Sequence, residues 1–169
     1  MKNLVILGST GSIGRQTLDI VRSFPKEFKV IGLAAGNNTE LLRQQVHEFK
    51  PKHIYSLAAT NLPVSGVTFT SLSEMASLPE VDMVIVATTG SAGLIPTLKA
   101  LKEGKSVALS NKEPIVMAGH LIKAYEAMYG GHILPVDSEP SAIWQCLQGE
   151  DTKIRRLIIT ASGGPFRDW

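Results

Sequence analysis

Short apolar runs alternate with amphipathic stretches along the chain, and such runs are typical of buried strands. The run Leu4-Val5-Ile6-Leu7 has the continuous apolar character of a strand that is covered on both faces. The pattern predicts strands at residues 4–7, 28–35, 53–56, near 67, 83–86, 106–109, 132–135 and 154–160.

The stretches between these runs carry apolar residues at helical spacing. The first helix is predicted to end at Pro25, and Asn38 is predicted to cap a second helix that runs to about Phe49. The buried face predicted for the first helix consists of Ile13, Thr17, Ile20 and Val21. Further helices are predicted at residues 72–77, 94–102, 121–128 and 141–147. This alternation predicts a Rossmann-like, doubly wound α/β fold with a mainly parallel sheet and right-handed crossovers.

Composition narrows the class of protein. Of the 169 residues, 44% are apolar and 19% are charged, which is typical of a globular domain with a core of ordinary size. The net charge of +2 comes from scattered side chains and does not favour nucleic acid or a membrane as partner. Cys146 is the single cysteine, so an intrachain disulfide is excluded and a reducing compartment is favoured. We find neither a secretion signal nor a long apolar span, and we expect a cytoplasmic protein.

A glycine-rich turn links the first strand to the first helix. Its residues are Gly8-Ser9-Thr10-Gly11-Ser12-Ile13-Gly14, with glycines three positions apart. Glycine permits a tight turn and a close backbone approach, and a helix N-terminus favours an anionic pyrophosphate. The turn therefore predicts a dinucleotide site, with a generic tight turn between strand and helix as the alternative.

The second strand ends in Gly36-Asn37-Asn38, where an NAD site usually has an acidic residue that binds the ribose 2′-hydroxyl. The first acid after the strand is Glu40. Because a carboxylate would repel a 2′-phosphate, its absence favours NADP(H) over NAD(H). Asn37 and Asn38 can also serve simply as the turn and cap of the next helix.

Two further polar turns follow predicted strands. Ser110-Asn111-Lys112-Glu113-Pro114 comes after the strand at 106–109, and Val136-Asp137-Ser138-Glu139-Pro140 comes after the strand at 132–135. Ligands bind beyond the carboxyl ends of strands in such sheets, so we expect both turns beside the glycine turn. Asp137 and Glu139 are hard oxygen donors that suit Mg²⁺ or Mn²⁺. The alternatives are a solvated loop for Lys112-Glu113 and a helix N-cap for Asp137-Ser138.

The remaining chemistry-bearing residues give weaker signals. Cys146 lies at helical spacing and is interpreted as a core residue, not a nucleophile. The four histidines lack metal-ligand spacing, and Trp144 and Phe166 are interpreted as packing residues.

Four motifs occur in a fixed order along the chain: the glycine turn, Ser110-Asn111-Lys112-Glu113, Pro135-Val136-Asp137-Ser138-Glu139 and Ser162-Gly163-Gly164-Pro165-Phe166. With this ordered set, the sequence resembles the 1-deoxy-D-xylulose 5-phosphate reductoisomerase family over essentially the whole chain. Each motif alone is moderately specific, whereas the ordered set is highly specific.

The resemblance implies a role for each matching residue. The implied NADPH-binding residues are Gly8, Thr10, Gly11, Ser12, Ile13, Gly14, Gly36, Asn37, Asn38, Asn111 and Glu113. The implied substrate-binding residues are Lys112, Ser138, Glu139 and Ser162, and the implied metal ligands are Asp137 and Glu139. Lys112, Asp137 and Glu139 are the implied catalytic residues. The family often has a basic residue where this chain has Asn37.

The resemblance also implies an activity. Members convert 1-deoxy-D-xylulose 5-phosphate to 2-C-methyl-D-erythritol 4-phosphate with NADPH and Mg²⁺ or Mn²⁺, in the non-mevalonate isoprenoid pathway, as homodimers. The third metal carboxylate lies beyond position 169 in the family, so we expect a fragment that is inactive alone. The expected division is an NADPH-binding domain at 1–150 and the truncated start of a catalytic domain at 151–169.

Other classes fit the sequence less well. A short-chain dehydrogenase needs a tyrosine and a lysine four residues apart, and no such pair occurs. An aspartate-semialdehyde dehydrogenase needs a nucleophilic cysteine, for which Cys146 is poorly placed. A non-catalytic NADP(H)-binding module, acting as a sensor or assembly domain, stays open as the alternative function.

Overall fold

A computed structural model of the chain describes residues 1–58, 64–149 and 153–158. These residues form one all-parallel, seven-stranded sheet with the strand order β4-β3-β2-β1-β5-β6-β7. The strands are β1 Lys2–Leu7, β2 Phe28–Ala35, β3 His53–Ser56, β4 Thr68–Phe69, β5 Met83–Val86, β6 Ser106–Leu109 and β7 His132–Pro135. The predicted fold class is confirmed.

Helices follow most of the strands. They are α1 Ser12–Ser23, α2 Thr39–Phe49, α3 Leu72–Ser77, α4 Leu94–Lys102, α5 Glu113–Tyr129 and α6 Ser138–Cys146, and a 3₁₀ turn covers Gly90–Gly93. Local sequence explains several of the boundaries. Asn38 caps α2 by accepting a hydrogen bond from Leu41 N at 3.1 Å, as predicted. Ser71 and Glu74 form a reciprocal capping box at the start of α3.

The core lies on both faces of the sheet because successive side chains of a strand point to opposite sides. On one face, Leu4 and Ile6 of β1 belong to the cluster that contains Leu18 of α1 and Leu42 of α2. On the other face, side chains of β1 cluster with α3, α4 and α5. Helices α1 and α2 therefore cover one side, α3 to α5 cover the other, and β1 is buried between them.

The face of α1 was predicted only in part. Val21 is buried as predicted and Ile13 and Thr17 are half-buried, but Ile20 is 52% exposed, and Gly14 and Leu18 are the other buried residues of the helix. The reason is the close contact at Gly14, where an added Cβ would lie 2.2 Å from Gly8 O. That contact turns the Gly14 side of α1, with Leu18 one turn later, towards the sheet.

Three further predictions change at the C-terminal end. Helix α6 begins at Ser138 instead of 141, and none of its residues is buried, so Cys146 is exposed and not a core residue. The strand predicted at 154–160 is not found over residues 153–158, which are exposed and unpaired with the sheet, and 159–160 lie outside the described residues. Helix α6 packs against β7, which is an edge strand of the sheet, and this peripheral position is consistent with the exposure of its residues. Trp144 is likewise 41% exposed instead of packed.

Among the described residues, none of the helices combines the length and the apolar character that a bilayer-crossing segment would need.

We predict that Gly8→Ala lowers the free energy of unfolding by about 3 kcal/mol or more. Gly8 has a φ of +94°, and a Cβ there would lie 2.2 Å from the backbone oxygen of Ala87, so neither conformation nor space allows the methyl group. Urea denaturation measures the loss. Gly36→Ala is the control, since a Cβ at Gly36 meets nothing within 4 Å, and it should change stability by less than about 0.5 kcal/mol. Equal stability of the two variants would contradict the prediction.

Candidate functional site at the carboxyl edge of the sheet

The predicted site loops follow β1, β2, β6 and β7, and all of these strands are parallel. Their carboxyl ends therefore meet at one edge of the sheet, where ligands bind in open α/β folds. The loop after β5 joins them, because β5 lies between β1 and β6. The structure thus brings the glycine turn, the asparagine loop, the lysine turn and the acidic turn to a common edge.

The glycine turn is held by backbone contacts that require its glycines. Gly8 N and Ser9 N donate to Ala34 O of β2 at 2.9 and 2.8 Å, and Gly11 N donates back to Gly8 O at 3.1 Å. Gly14 is buried beneath the turn, where an added Cβ would lie 2.6 Å from Ser9 Cα. Gly8 and Gly14 therefore shape the turn, and Gly14 packs against it without lining the cleft.

Gly11 occupies the N-cap position of α1, so no described side chain caps that helix. The N–H groups of the first turn are consequently left for a ligand, and the helix dipole favours an anionic one. A negatively charged phosphate suits this position.

A cleft of about 400 Å³ opens in front of this turn, a volume ordinary for a small-molecule site. The predicted residues that line it are Gly8, Thr10, Gly11, Gly36, Asn37 and Asn38. Ser12 instead lines a groove between α1 and α2, and Ile13 lies with Val136 in a separate shallow depression. The cleft therefore joins the glycine turn to the asparagine loop, and the side chains of Ser12 and Ile13 are not part of its lining.

Other cleft residues were missed by the sequence reasoning. They are Ala34, Ala35, Tyr55, Leu57, Leu72, Ala87, Thr88, Thr89 and Ala92. Thr88, Thr89 and Ala92 follow β5, so the rule that ligands bind beyond strand ends could have found them. Tyr55, Leu57 and Leu72 give no local signal, because only the folded chain brings β3 and α3 to the asparagine loop.

The lysine turn places one amide beside the loop after β5. Asn111 Nδ2 donates to Gly90 O at 3.2 Å, which fixes the amide. Asn111 Oδ1 and Thr88 Oγ1 are both buried and lack a hydrogen-bond partner among the described residues. Both atoms adjoin Gly93, where an added Cβ would lie 3.5 and 2.8 Å from them. Buried polar atoms are rarely left unpaired, so this pair is a place where an ordered water or a polar group of a ligand would form hydrogen bonds.

Lys112 and Glu113 stand at the start of α5, Lys112 as its exposed N-cap and Glu113 as its first residue. The sequence predicted a helix only from residue 121, but Pro114 at the start of α5 explains the earlier onset.

The acidic turn has the geometry of a helix cap. Asp137 is the N-cap of α6 and accepts from Ser138 N at 3.1 Å, so the capping alternative is present in the structure. Ser138 Oγ donates to Glu139 Oε2 at 2.8 Å. The hydrogen bond from the Ser138 hydroxyl is the largest cause of a lowered pKa at Glu139. The backbone N–H of Glu139 and the charge of Lys112 lower this pKa further. The charge of Lys112 in the lysine turn is thus felt at the acidic turn.

No group of three or more acidic, histidine or cysteine side chains is arranged to hold a metal within the part of the chain that the structure describes. Asp137 and Glu139 are therefore two candidate ligands without a third. Ser162 lies outside the described residues, as does Phe166.

Two family models match the chain. Residues 4–119 match the model of 1-deoxy-D-xylulose 5-phosphate reductoisomerase, and residues 133–169 match the model of its C-terminal domain.

A curated relative and two solved structures are similar. The reductoisomerase of Pelotomaculum thermopropionicum is 46% identical over 181 residues, which cover 99% of this chain and 47% of the relative. A reductoisomerase crystallised with magnesium has a TM-score of 0.89 and 36% identity, over 99% of this chain and 48% of that one. The Zymomonas mobilis reductoisomerase in complex with NADPH has a TM-score of 0.88 and 37% identity, over 99% of this chain and 47% of that one.

The chain thus spans about half the length of the relatives it matches. Because the first model covers most of the described sheet, from β1 to β6, and the similarity to these proteins covers 99% of the chain, it belongs to the 1-deoxy-D-xylulose 5-phosphate reductoisomerase family.

Proposed function

We propose that this chain supplies the NADPH-binding half of an enzyme that converts 1-deoxy-D-xylulose 5-phosphate to 2-C-methyl-D-erythritol 4-phosphate in the non-mevalonate isoprenoid pathway. The observation that carries the proposal is the cleft between the uncapped N-terminus of α1 and the loop after β2. Relatives that bind NADPH and magnesium support the choice of cofactor and metal.

The pyrophosphate of NADPH fits the glycine turn for three reasons. The N–H groups of α1 have no side-chain cap, Gly11 exposes its backbone, and Thr10 lines the same cleft. Ser12 and Ile13 stand in the first turn of α1, where their N–H groups add donors.

The adenosine end fits the loop after β2. Gly36, Asn37 and Asn38 are exposed there, and a Cβ at Gly36 would meet nothing within 4 Å, so the loop leaves room for the ribose and its 2′-phosphate. Glu40, the first carboxylate after β2 in the sequence, is hydrogen-bonded to Arg43 at 2.9 Å, and this guanidinium lowers its pKa. Negative charge near the 2′-phosphate is therefore partly offset, which favours NADPH over NADH.

The nicotinamide end then lies towards β5 and β6. Asn111 Oδ1 is a hydrogen-bond acceptor, and the Thr88 hydroxyl can donate or accept. Both lack a partner among the described residues, so a polar group at the nicotinamide end can bond to them. Glu113 follows at the first position of α5 and is the further proposed cofactor contact. NADPH supplies hydride when bound, and the protein supplies orientation.

The metal and substrate are proposed to occupy the edge beyond β7. Asp137 and Glu139 are carboxylates two positions apart on one turn, and the lowered pKa of Glu139 favours the ionised form that binds a divalent cation. A bound Mg²⁺ or Mn²⁺ supplies a Lewis acid that polarises substrate oxygens.

Lys112 contributes a fixed positive charge beside the acidic turn, where negative charge develops on substrate oxygen during the rearrangement. Ser138, which hydrogen-bonds Glu139, is a proposed substrate contact together with Glu139 itself. Ser162 is the remaining proposed substrate contact.

The domain division, assembly and location stay predictions. We propose an NADPH-binding domain at 1–150 and the start of the catalytic domain at 151–169, since α6, which packs on β7, is the last described helix. A homodimer of the longer protein and a cytoplasmic location rest on the family resemblance.

One observation favours a second candidate. The described residues contain no three-ligand metal group, so an NADP(H)-binding module without catalysis of its own fits the chain taken alone.

The cofactor proposal predicts that the chain binds NADPH more tightly than NADH, measured by nicotinamide fluorescence. Asn37→Asp should weaken NADPH binding about tenfold and leave NADH binding nearly unchanged, because the carboxylate repels the 2′-phosphate. Asn37→Ser removes the amide without adding charge and is the control. Equal effects of Asn37→Asp on both cofactors would contradict the proposed position of the 2′-phosphate, and a wild-type chain that binds neither would contradict the function.

The hydrogen bonds and charges of the acidic turn predict that two substitutions raise the pKa of Glu139 by different amounts. Ser138→Ala should raise the pKa of the carboxyl towards its ordinary value, and Lys112→Met should raise it less, because the hydroxyl is the larger cause. Since the folded-state pKa is lowered, this stabilisation is present above the ordinary pKa and is lost as the pH falls through the lowered value. Carboxyl NMR titration measures both shifts, and a larger effect of Lys112→Met would refute the assignment.

The 169-residue chain should bind NADPH yet not oxidise it when 1-deoxy-D-xylulose 5-phosphate and Mg²⁺ are added. Within residues 1–58, 64–149 and 153–158, the proposed metal ligands are two carboxylates, which are too few to hold the cation firmly. Absorbance of NADPH with time is the measurement, with a longer family member as positive control. Turnover well above the rate without enzyme would overturn this expectation.

A further inference from the structure

A buried polar pair ties the glycine turn to α2. Ser9 is 0% exposed and Gln45 is 3% exposed. Ser9 Oγ donates to Gln45 Oε1 at 2.8 Å, and Gln45 Nε2 donates to the backbone oxygen of Ser9 at 2.9 Å. One amide thus satisfies both the side chain and the carbonyl of a single turn residue, although the two residues are 36 positions apart.

We propose that Gln45 is a positioning residue for pyrophosphate binding, because it orients the peptide group between Ser9 and Thr10. The inference rests on the proposed NADPH function of the cleft. Gln45 has no predicted ligand contact, and it acts through the backbone of the turn.

The planar peptide bond between Ser9 and Thr10 couples the directions of its two polar groups. In a trans peptide, the C=O of Ser9 and the N–H of Thr10 point in opposite directions. Gln45 Nε2 holds the Ser9 carbonyl towards α2, in the interior. The Thr10 N–H is consequently aimed away from α2, and Thr10 lines the cleft where the pyrophosphate is proposed to bind.

The remaining polar groups of Ser9 are also fixed. Ser9 N donates to Ala34 O of β2 at 2.8 Å, so the residue is held by β2 on one side and by α2 on the other. Gln45 itself is immobilised, since Leu42 and Val46 on the same side of α2 are 0% and 3% exposed within the core.

Helix α2 therefore joins two parts of the cofactor site. Its N-cap, Asn38, lines the cleft at the proposed adenosine end, and Gln45 sets the turn at the proposed pyrophosphate end. A rigid helix that carries both contacts fixes their relative position before a ligand arrives.

Glutamine suits this position because its amide both donates and accepts, whereas glutamate offers acceptors alone. Gln45→Glu would retain an acceptor for Ser9 Oγ but would set a carboxylate against the Ser9 carbonyl. Gln45→Met has a similar shape and makes neither bond.

The test compares Gln45→Met, Ser9→Ala and wild type in the whole chain, with dissociation constants for NADPH and for adenosine 2′-monophosphate, which lacks the pyrophosphate. Gln45→Met should weaken NADPH about tenfold. Adenosine 2′-monophosphate should stay within about twofold of wild type. Ser9→Ala should affect NADPH much less, since the Ser9 carbonyl keeps its bond to Nε2.

Gln44→Met is the matched control. Gln44 is the exposed neighbour on α2, and its amide donates to Glu40 Oε1 at 3.3 Å. The control should change neither dissociation constant. Equal weakening of both ligands by Gln45→Met would mean a purely structural role and would overturn the proposal, as would unchanged NADPH binding.

A ligand-free readout separates this inference from the proposed function. Gln45→Met should shift the Thr10 amide resonance of the free chain, and Gln44→Met should not. If the wild-type chain does not bind NADPH, the proposed function is wrong. The positioning role of Gln45 is then tested by NMR alone, and a Thr10 amide resonance that Gln45→Met leaves unchanged would overturn it. Should Gln45→Met not fold, Gln45→Glu serves in the same NMR comparison, because it also removes the donor to Ser9 O.

Discussion

Parallel pairing of β1 with β2 on one side and β5 on the other is the constraint on which the site depends. Because these strands run in the same direction, every loop that leaves a carboxyl end emerges at the same edge. Adjacent strands lie about 4.8 Å apart, so the loops after β2, β1, β5, β6 and β7 form an ordered row. A long ligand such as a dinucleotide can contact them in sequence.

At the centre of this row, backbone segments of the glycine turn and its neighbours approach so closely that some positions accept only glycine. Gly8 comes so near the end of β5 that a methyl group would meet Ala87 O, and Gly14 packs equally closely on the turn. The absence of side chains at these two positions lets α1 point its uncapped N-terminus into the cleft. Ser9 lies between them in the turn, and its hydrogen bond with Gln45 holds it in the interior. Thr10 and Gly11 line the cleft and are available to contact a ligand.

Electrostatics divide the row into two regions. Near β2 and β1 the cleft is bordered by asparagines and the glycine turn, and Glu40, the first acid after β2, is paired with Arg43. Near β6 and β7, the charge of Lys112 adds to the larger effect of the Ser138 hydroxyl in lowering the pKa of Glu139. The first region suits phosphates, and the second offers carboxylate oxygens of the kind that divalent cations prefer.

Much of this could be predicted from the sequence by itself. Strand–helix alternation, the glycine turn, the Asn38 cap and the two polar turns are local patterns, and local patterns predict local structure and its place at a strand end. The ordered motifs also indicated the family. Tertiary structure alone decided that Ile20 of α1 is exposed, that Cys146 is exposed, and that Tyr55, Leu57 and Leu72 border the cleft. It also decided that Gln45, far along the chain, holds Ser9. The physical reason is that burial and hydrogen-bond partners depend on residues brought together by strand pairing, and one-dimensional periodicity carries no information about such distant neighbours.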